Sequence, residues 1–425
     1  MGINTSISTL IGTLLIGAGA AHAAITDLDR SDFPAGNGPS AIAHGDFNQD
    51  GVTDLAIADG LGNAVAVLLG NGDGGFMPAV YYHAPAGNTD VSAIVAGDFD
   101  GDGIDDLAAT IGYAGLNQSR VMILTAVGDG TFVSKDFLTG YGPIWIDTGD
   151  LDGDGDLDLV TANYSSRSFT RLYNDGEGNF DNYAQQITLR YPKRVALEDV
   201  DQDGDLDITI SSNYGVMVYK VDASGMIVAS RQYLAGTRPK GIAFGDINND
   251  SFTDMLITDL VTARVFVFPG DGLGDFAAST VVSVASGPSD IALDDIDGDG
   301  DLDMLITAQS DNTIQSLLND SKGGFGSPLS RSTGTTPLAM IVCDVNNDGV
   351  NDITTANYDA DTISFFASAA CIADFTGDGV LDFFDVSAFI AAFNAQSPDA
   401  DLNGDGSFDF FDVSSFIGLF SAGCP

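Results

Sequence analysis

The sequence predicts an all-β fold, a seven-bladed β-propeller, followed by a small α-helical module. Seven acidic loops of the form Asp-x-Asp/Asn-x-Asp-Gly/Ser-x-x-Asp begin 52, 52, 49, 47, 49 and 49 residues apart. Short β-rich runs and glycine turns fill these intervals, which suit a four-stranded unit. After residue 373 the pattern changes to apolar residues at helical spacing.

Each repeat offers four short segments that favour strands. In the first repeat, apolar runs at 41–43 and 55–58 flank the acidic loop, and a third run follows at 64–69. A glycine-rich turn then closes on Phe76, and a more polar segment follows at 80–83. This rhythm predicts an all-β meander in every repeat.

The two ends of the repeat region complement each other. The seventh repeat stops after Phe366 without an outer strand, and residues 25–36 precede the first loop without a blade of their own. We therefore expect the N-terminal segment to supply the outer strand of the last blade. This pairing closes the ring and removes free sheet edges.

Acidic residues dominate the charge of the chain. There are 61 Asp and Glu against 15 Lys and Arg, a formal net charge of -46. Nucleic acids and anionic lipid surfaces bind through Lys and Arg clusters, so nucleic acid is excluded as an expected partner. Self-repulsion of this size favours neutralisation by a divalent cation.

Each acidic loop offers a shell of hard oxygen donors. The side chains at positions 1, 3, 5 and 9 and the backbone carbonyl at position 7 form a donor set without His or Cys, which favours Ca²⁺. The candidate ligands, loop by loop, are Asp46, Asn48, Asp50, Val52 and Asp54; Asp98, Asp100, Asp102, Ile104 and Asp106; Asp150, Asp152, Asp154, Asp156 and Asp158; Asp199, Asp201, Asp203, Asp205 and Asp207; Asp246, Asn248, Asp250, Phe252 and Asp254; Asp295, Asp297, Asp299, Asp301 and Asp303; and Asp344, Asn346, Asp348, Val350 and Asp352. The alternative is that some loops are polar turns, above all the fifth, where Ser251 replaces glycine.

The C-terminal segment contains two near-copies offset by 27 residues, each a twelve-residue acidic loop followed by a helix. Glycine occupies the sixth loop position, as in an EF-hand. The candidate ligands are Asp374, Thr376, Asp378, Val380, Asp382 and Asp385, and Asp401, Asn403, Asp405, Ser407, Asp409 and Asp412. The apolar residues expected to pack together are Val386, Phe389, Ile390 and Phe393, and Val413, Phe416, Ile417 and Phe420. With the propeller loops, up to nine mainly structural calcium sites are predicted.

The N-terminus favours export. An apolar run ends in Ala21-His22-Ala23, which predicts a signal peptide over residues 1–23, although no Lys or Arg precedes Arg30. The alternative is a buried N-terminal helix. An oxidising compartment would let Cys371 and Cys424 pair, while Cys343 is expected to be a buried thiol. No transmembrane helix is expected after cleavage.

The loops, the following strands and the glycine-to-phenylalanine turns resemble FG-GAP or VCBS repeats, as in integrin α-subunits. The resemblance implies a propeller over residues 24–370, with metal loops on one face and ligand-binding loops on the other. The duplicated tail, residues 371–425, resembles a type I dockerin. It implies an attachment module with a cohesin-like or cell-envelope partner, the alternative being a stabilising cap.

The function expected from these features is binding rather than catalysis. The three histidines form no catalytic spacing, and nearly all acidic pairs lie in metal loops. We therefore expect a secreted or cell-surface protein that binds a glycan or an extracellular protein. The alternatives are a structural scaffold and an accessory protein or enzyme of polysaccharide degradation, a glycoside hydrolase or lyase. The aromatic candidates for glycan stacking are Trp145, Tyr141, Tyr173, Tyr183, Tyr191 and Tyr214.

Overall fold

The protein is a seven-bladed propeller followed by two helices. The computed structural model describes residues 28–85, 88–113, 119–188, 190–368, 373–376, 381–403 and 406–422. Seven four-stranded antiparallel sheets are present in these ranges, which confirms the predicted propeller. The predicted signal peptide, residues 1–23, and the predicted Cys371–Cys424 pair lie outside the described residues, so both stay predictions.

The blades follow one another along the chain, and each runs from an inner strand to an outer strand. From inside to outside the strands are β2 (Pro39–Gly45), β3 (Asp54–Asp59), β4 (Ala64–Leu68) and β5 (Val80–His83) in blade 1; β6 (Asn88–Gly97), β7 (Asp106–Tyr113), β8 (Arg120–Ala126) and β9 (Phe132–Leu138) in blade 2; β10 (Pro143–Gly149), β11 (Asp158–Asn163), β12 (Ser168–Tyr173) and β13 (Asn182–Ile187) in blade 3; β14 (Pro192–Glu198), β15 (Asp207–Ser212), β16 (Gly215–Val221) and β17 (Ile227–Tyr233) in blade 4; β18 (Pro239–Gly245), β19 (Asp254–Asp259), β20 (Arg264–Phe268) and β21 (Thr280–Ser283) in blade 5; β22 (Pro288–Asp294), β23 (Asp303–Ala308), β24 (Thr313–Leu317) and β25 (Leu329–Ser332) in blade 6; and β26 (Pro337–Cys343), β27 (Asp352–Asn357), β28 (Thr362–Ala367) and β1 (Asp29–Pro34) in blade 7.

The inner strands form a closed ring. Each contacts the inner strands of both neighbouring blades, and β26 contacts β2. The second strands of six blades, β3, β11, β15, β19, β23 and β27, are buried along their whole length because other blades cover both faces. Burial on both faces explains why β3, β19 and β23 are mainly apolar without alternation, whereas β11, β15 and β27 also bury Thr, Ser or Asn side chains.

The N-terminal strand closes the ring as predicted. β1 pairs antiparallel with β28, with Phe33 opposite Ile363. The Phe33 ring also meets the Phe76 ring of blade 1 edge to face at 5.1 Å. The strand therefore joins the last blade to the first by both backbone pairing and side-chain packing, and Cys343 in this blade is buried with a free thiol, as expected.

A β-bulge recurs near the start of the inner strands. Six of them begin with proline, which suits a first strand position because it has no N–H to donate. In these six strands the pairing register shifts directly after the proline. Such bulges turn a side chain away from the regular alternation, and the residues that follow the prolines are Ser40, Ile144, Lys193, Lys240, Ser289 and Leu338.

The tail consists of helices α1 (Phe383–Ala395) and α2 (Phe410–Ala422). The predicted apolar residues meet in one cluster, where the rings of Phe389 and Phe416 stack at 4.1 Å. Asp382 caps α1 by accepting from the Phe384 N–H, and Asp385 accepts from the Asp382 N–H. The helical pair is confirmed, while its dockerin character stays a prediction. No helix in the described part of the chain is long and apolar enough to cross a membrane.

Replacing Phe33 with alanine is expected to weaken ring closure. Loss of its packing against blade 1 should lower the free energy of unfolding by about 2 kcal/mol. The control is Ile187→Ala, on the outer strand of blade 3, where the side chain is 73% exposed and the loss should stay below about 0.5 kcal/mol. Denaturant unfolding measures both variants, and equal losses would contradict the role of β1 in closure.

Candidate functional site

Each acidic loop is the hairpin between an inner strand and the second strand of its blade. In blade 1 the strand pairing ends at Gly45 and Asp54. The first Asp accepts the N–H of the sixth loop residue in all seven loops. The fifth-position side chain accepts the N–H of the seventh residue in all seven. The backbone therefore fixes two carboxylates of every loop in the same way.

The fifth loop keeps this geometry without glycine. Ser251 has φ 70°, close to the 79° of Gly51 in the first loop, and its N–H donates to Asp246 at 2.7 Å. A left-handed conformation costs a non-glycine residue roughly 1–2 kcal/mol. The loop shape is thus imposed by the hairpin and its carboxylates in spite of the serine.

The ninth-position aspartates join the hairpin, the second strand and the third strand within a blade. Each begins a second strand and is almost fully buried. In blade 3, Asp158 accepts the Leu151 N–H of its own loop at 3.1 Å and the Asn174 N–H beyond the third strand at 2.8 Å. The same pair of bonds recurs at Asp54, Asp106, Asp254, Asp303 and Asp352. These residues are predicted from the sequence as metal ligands alone, and the structure gives them this scaffolding role as well.

Burial raises the pKa of every ninth-position aspartate, and a carboxylate at the third loop position acts in the same direction. The pKa rises to about 7 at Asp106, Asp158, Asp207 and Asp303, whose loops carry Asp at position 3. It rises to about 6 at Asp54, Asp254 and Asp352, whose loops carry Asn there. Burial is the main cause throughout, and the third-position carboxylate adds like-charge repulsion in the first group.

Four loops gather carboxylate oxygens within 4.8 Å of one another, and they are the four with Asp at position 3. The groups are Asp98, Asp100 and Asp106; Asp150, Asp152 and Asp158; Asp199, Asp201 and Asp203; and Asp295, Asp297 and Asp299. Among the described residues, the buried Oδ1 atoms of Asp152 and Asp201 have no hydrogen-bond donor. Clustered oxygens that lack donors fit a hard divalent cation, so the donor set is compatible with Ca²⁺.

The three loops with Asn at position 3 satisfy part of this charge internally. The amide of Asn48 donates to Asp50 at 2.9 Å, and that of Asn346 donates to Asp348 at 3.1 Å. In the fifth loop the Asn248 amide donates to Asp254 at 3.0 Å. These loops therefore leave less carboxylate charge without an internal donor than the other four.

The tail loops are described only in part, because Asp378, Val380 and Asp405 lie outside the described residues. In the first loop the N–H and hydroxyl of Thr376 both donate to Asp385 at 3.0 and 2.9 Å. In the second loop the Asn403 N–H donates to Asp412 at 3.3 Å. The two loops close in the same way, and their metal binding stays a prediction.

A cavity of about 720 Å³ lies at the start of the inner strands. Because each inner strand ends at its acidic loop about 20 Å away, the cavity and the metal loops occupy opposite ends of the propeller channel. The residues after the strand prolines reach into it: Ser40, Ile144, Lys193, Lys240 and Leu338 all line the cavity, which we call the channel mouth. The bulges therefore direct one side chain from most blades to a common space.

The channel mouth is basic in an otherwise acidic protein. Lys193, Arg194, Arg238 and Lys240 line it, and no Asp or Glu is among the described residues that do so. Arg194 lies over the Trp145 ring at 4.0 Å. This cluster is not among the residues predicted from the sequence, although the aligned repeats contain its signal: a Pro-Lys pair opens the inner strands of blades 4 and 5.

The aromatic candidates divide between the two ends. Trp145 and Tyr214 line the channel mouth, together with Tyr164, which was not singled out from the sequence. Tyr191 packs beside Tyr164 at 4.9 Å between ring centroids. Tyr173 lies at the other end, where its hydroxyl donates to the Gly225 carbonyl. Burial is the main cause that raises its pKa, and Asp158 and Asp152 of the acidic loop add to the shift. Its prediction for the ligand face is therefore wrong. Tyr141 and Tyr183 are exposed and do not line the cavity.

The family comparison matches the repeats. A model described as FG-GAP-like repeat matches residues 46–109, 150–210, 199–257, 246–306 and 295–355. No curated protein matches the chain.

Several solved structures share the fold at low identity. BBS1N in complex with ARL6DN is 13% identical with a TM-score of 0.57, covering 80% of this chain and 96% of that one. A catalytically inactive virginiamycin B lyase from Staphylococcus aureus with quinupristin is 12% identical with a TM-score of 0.54, covering 80% and 99%. An Agrocybe aegerita lectin that recognises non-reducing terminal N-acetylglucosamine is 17% identical with a TM-score of 0.50, covering 79% and 87%. These identities support the fold alone.

Replacing Asp152 with alanine is expected to act in opposite directions with and without calcium. In excess chelator it removes like charge beside Asp150 and Asp154, worth on the order of 1 kcal/mol per close pair, so the melting temperature should rise. In calcium it removes a ligand, so the melting temperature should fall. Differential scanning fluorimetry of the full chain compares it with Asp181→Asn, an exposed control in the same blade. Shifts of one sign, or a wild-type protein indifferent to chelator, would contradict the metal assignment.

The stability of the chelated protein is expected to fall as pH rises. The ninth-position aspartates have raised pKa values of about 6 to about 7. The unfolded chain releases these protons near pH 4 and the folded chain near 6 to 7, so stability is lost between these values and is constant above them. A bound cation favours the ionised form, so the stabilisation by calcium should grow from pH 5.5 to 8. Thermal melts across this range, with and without calcium, test this, and a pH-independent calcium effect would refute it.

Proposed function

The chain belongs to the FG-GAP-like repeat family, and from this premise we propose that it is a secreted, calcium-binding propeller that binds a glycan or protein ligand outside the cell. In this proposal the channel mouth is the ligand site, the acidic loops are structural calcium sites, and the helical tail attaches the protein to a partner. The protein is not an enzyme in this proposal.

The observation that carries the proposal is the channel mouth. Its volume of about 720 Å³ lies in the usual range for small-ligand sites. Aromatic rings and polar side chains line it together, among them Tyr164, Tyr214, Asn213 and Gln309. Tyr214 is 57% exposed even though Arg190 lies over its ring at 4.4 Å, so part of the ring stays accessible to a ligand.

The positions of the acidic loops support a structural role for calcium. Each loop closes the hairpin that a ninth-position aspartate ties to the rest of its blade. The loops lie at the end of the channel away from the cavity, so a cation there would act on the ligand site only through blade stability. Calcium would neutralise the loop carboxylates and hold the seven hairpins in register.

The tail presents a surface suited to attachment. Phe383 and Phe384 are 61% and 65% exposed, and Phe410 and Phe411 are 67% and 64% exposed. Both pairs have the same geometry, with ring centroids 6.3 Å apart. Exposed apolar rings on a small helical module favour a protein partner, in this proposal a cohesin-like or cell-envelope protein. The absence of Lys and Arg from residues 371–425 favours a basic or polar surface on that partner.

A second candidate is an enzyme of polysaccharide turnover. It is favoured by the presence of both Lys240 and Arg194 in the lining of the channel mouth. A guanidinium beside a lysine with a lowered pKa could neutralise a sugar carboxylate and take up a proton. The pKa of Lys240 is lowered to about 8, mainly by burial. Turnover of a polysaccharide would distinguish this candidate from binding.

A glycan array and a polysaccharide pull-down with the full calcium-loaded chain test the proposal. Saturable binding to a defined glycan, lost in the variant Tyr214→Ser but kept in Tyr183→Ser on the exposed outer strand of blade 3, is the expected result. Chain shortening of the bound polysaccharide would support the enzyme instead. No glycan binding, together with no binding to extracellular matrix proteins in the same format, would refute the proposed function.

A further inference from the structure

The distribution of basic residues singles out one region of the molecule. The chain has 15 Lys and Arg, and four of them line the channel mouth. Two more lie close to it. Arg190 lies over the ring of Tyr214, a lining residue, at 4.4 Å. Arg167 lies at 4.5 Å over the ring of Tyr191, which packs against the lining residue Tyr164. All six belong to blades 3 to 5 and the segments joining them, so one side of the cavity is strongly positive.

Most of this charge is not neutralised by the protein. Arg194 pairs with Asp290, which is 2% exposed. Within the described residues, no ion pair or side-chain hydrogen bond engages Lys193, Arg238 or Lys240. Lys193 and Lys240 are partly buried, while Arg238 is exposed. Partly buried cations held side by side without an ion pair are unfavourable unless a ligand supplies the opposite charge.

The acidic neighbours are few and already occupied. Asp259 accepts the N–H groups of Thr237, Arg238 and Val261 at 2.6, 3.0 and 3.1 Å. Asp290 accepts the N–H groups of Ile291 and Met340 in addition to its pairing with Arg194. Burial lowers the pKa values of Lys193 and Lys240 to about 8, and neighbouring cations act in the same direction, although Asp259 at Lys193 and Asp290 at Lys240 partly offset the shift. The protein thus holds these amines where an anion would stabilise their charge.

The proline and bulge at the start of the inner strands position the two lysines at the cavity. Lys193 and Lys240 occupy equivalent bulge positions in adjacent blades, each directly after the proline that opens an inner strand. The equivalent positions in blades 1 and 7 carry Ser40 and Leu338. Among these equivalent bulge positions, the lysines therefore lie in blades 4 and 5, and the positions across the cavity in blades 1 and 7 carry uncharged side chains.

We infer that the channel mouth binds an acidic saccharide, a sugar that carries a carboxylate or sulfate group, with the anion against Lys193, Arg238 and Lys240. This inference rests on the proposed function, in which the channel mouth is the ligand site. The exposed ring of Tyr214 offers a face for a sugar ring, and the amides of Asn213 and Gln309 can donate to and accept from hydroxyls. These groups recognise a hydroxylated ring, which a simple inorganic anion lacks.

The ligand is expected to be a short segment or a chain end. The cavity volume of about 720 Å³ is that of a small-ligand site rather than a polymer groove. The net charge of -46 also repels long polyanions beyond the reach of the cluster. The same repulsion disfavours nucleic acids. Oligosaccharides at physiological ionic strength are therefore the appropriate probes.

Isothermal titration of the full calcium-loaded chain tests the inference with trigalacturonate, its methyl ester and a sulfated galactose trisaccharide. The expected result is saturable binding of at least one acid, with the ester at least about tenfold weaker because the charge-assisted contacts are lost. The double variant K193Q/R238Q should weaken acid binding by at least about tenfold. The control K322Q, an exposed lysine in a turn of blade 6, should leave it unchanged. Arg194 is retained because its loss would leave Asp290 buried without its partner.

The outcomes separate the inference from the proposed function. Equal binding of acid and ester, no binding of either acid, or unchanged affinity in K193Q/R238Q overturns the inference, while array binding to neutral glycans leaves the proposed function in place. Equal binding of hexaglutamate would also overturn it, because it would show an acidic peptide site. Tyr214→Ser should weaken trigalacturonate binding without changing inorganic sulfate binding. Melting temperatures of all variants verify that they are folded.

Discussion

The buried carboxylate that begins each second strand is the interaction on which the rest of the structure depends. Asp158 and five of its six counterparts accept one N–H from the acidic hairpin and one from the end of the third strand, while Asp207 accepts the Val221 N–H at the third strand. A single side chain thereby fixes the hairpin, the second strand and the third strand of a blade relative to one another. A raised pKa is the consequence, because the carboxylate must be buried to reach both donors.

This arrangement separates charge along the channel. The inner strands all run from the channel mouth to the acidic hairpins, so residues early in the strand and residues after it lie at opposite ends. Carboxylates gather at the hairpin end, where the four loops with Asp at position 3 have the closest oxygens. Lysine and arginine gather at the mouth. The mouth therefore favours anionic groups, while the hairpin end favours cations.

The sequence predicted the blades, the hairpin positions and the closing strand because each depends on repeated local patterns or on simple completion of a ring. It did not reveal the second role of Asp158, because the partner Asn174 is 16 residues away and is identified only by the fold. Tyr173 was assigned to the ligand face because an aromatic residue at a strand end does not reveal which end. Its position follows from strand direction: β12 runs towards the acidic loops, so its last residue lies there.

The basic cluster shows why repeat alignment and residue chemistry must be combined. Lys193 and Lys240 are far apart in the chain and look like ordinary surface lysines when each is considered alone. They become one site because the proline and bulge of successive inner strands place equivalent residues side by side on the ring. A change at this position alters the cavity without altering strand pairing, since the bulged residue is left out of the ladder. The fold can therefore vary its ligand site blade by blade while the buried carboxylates keep the framework constant.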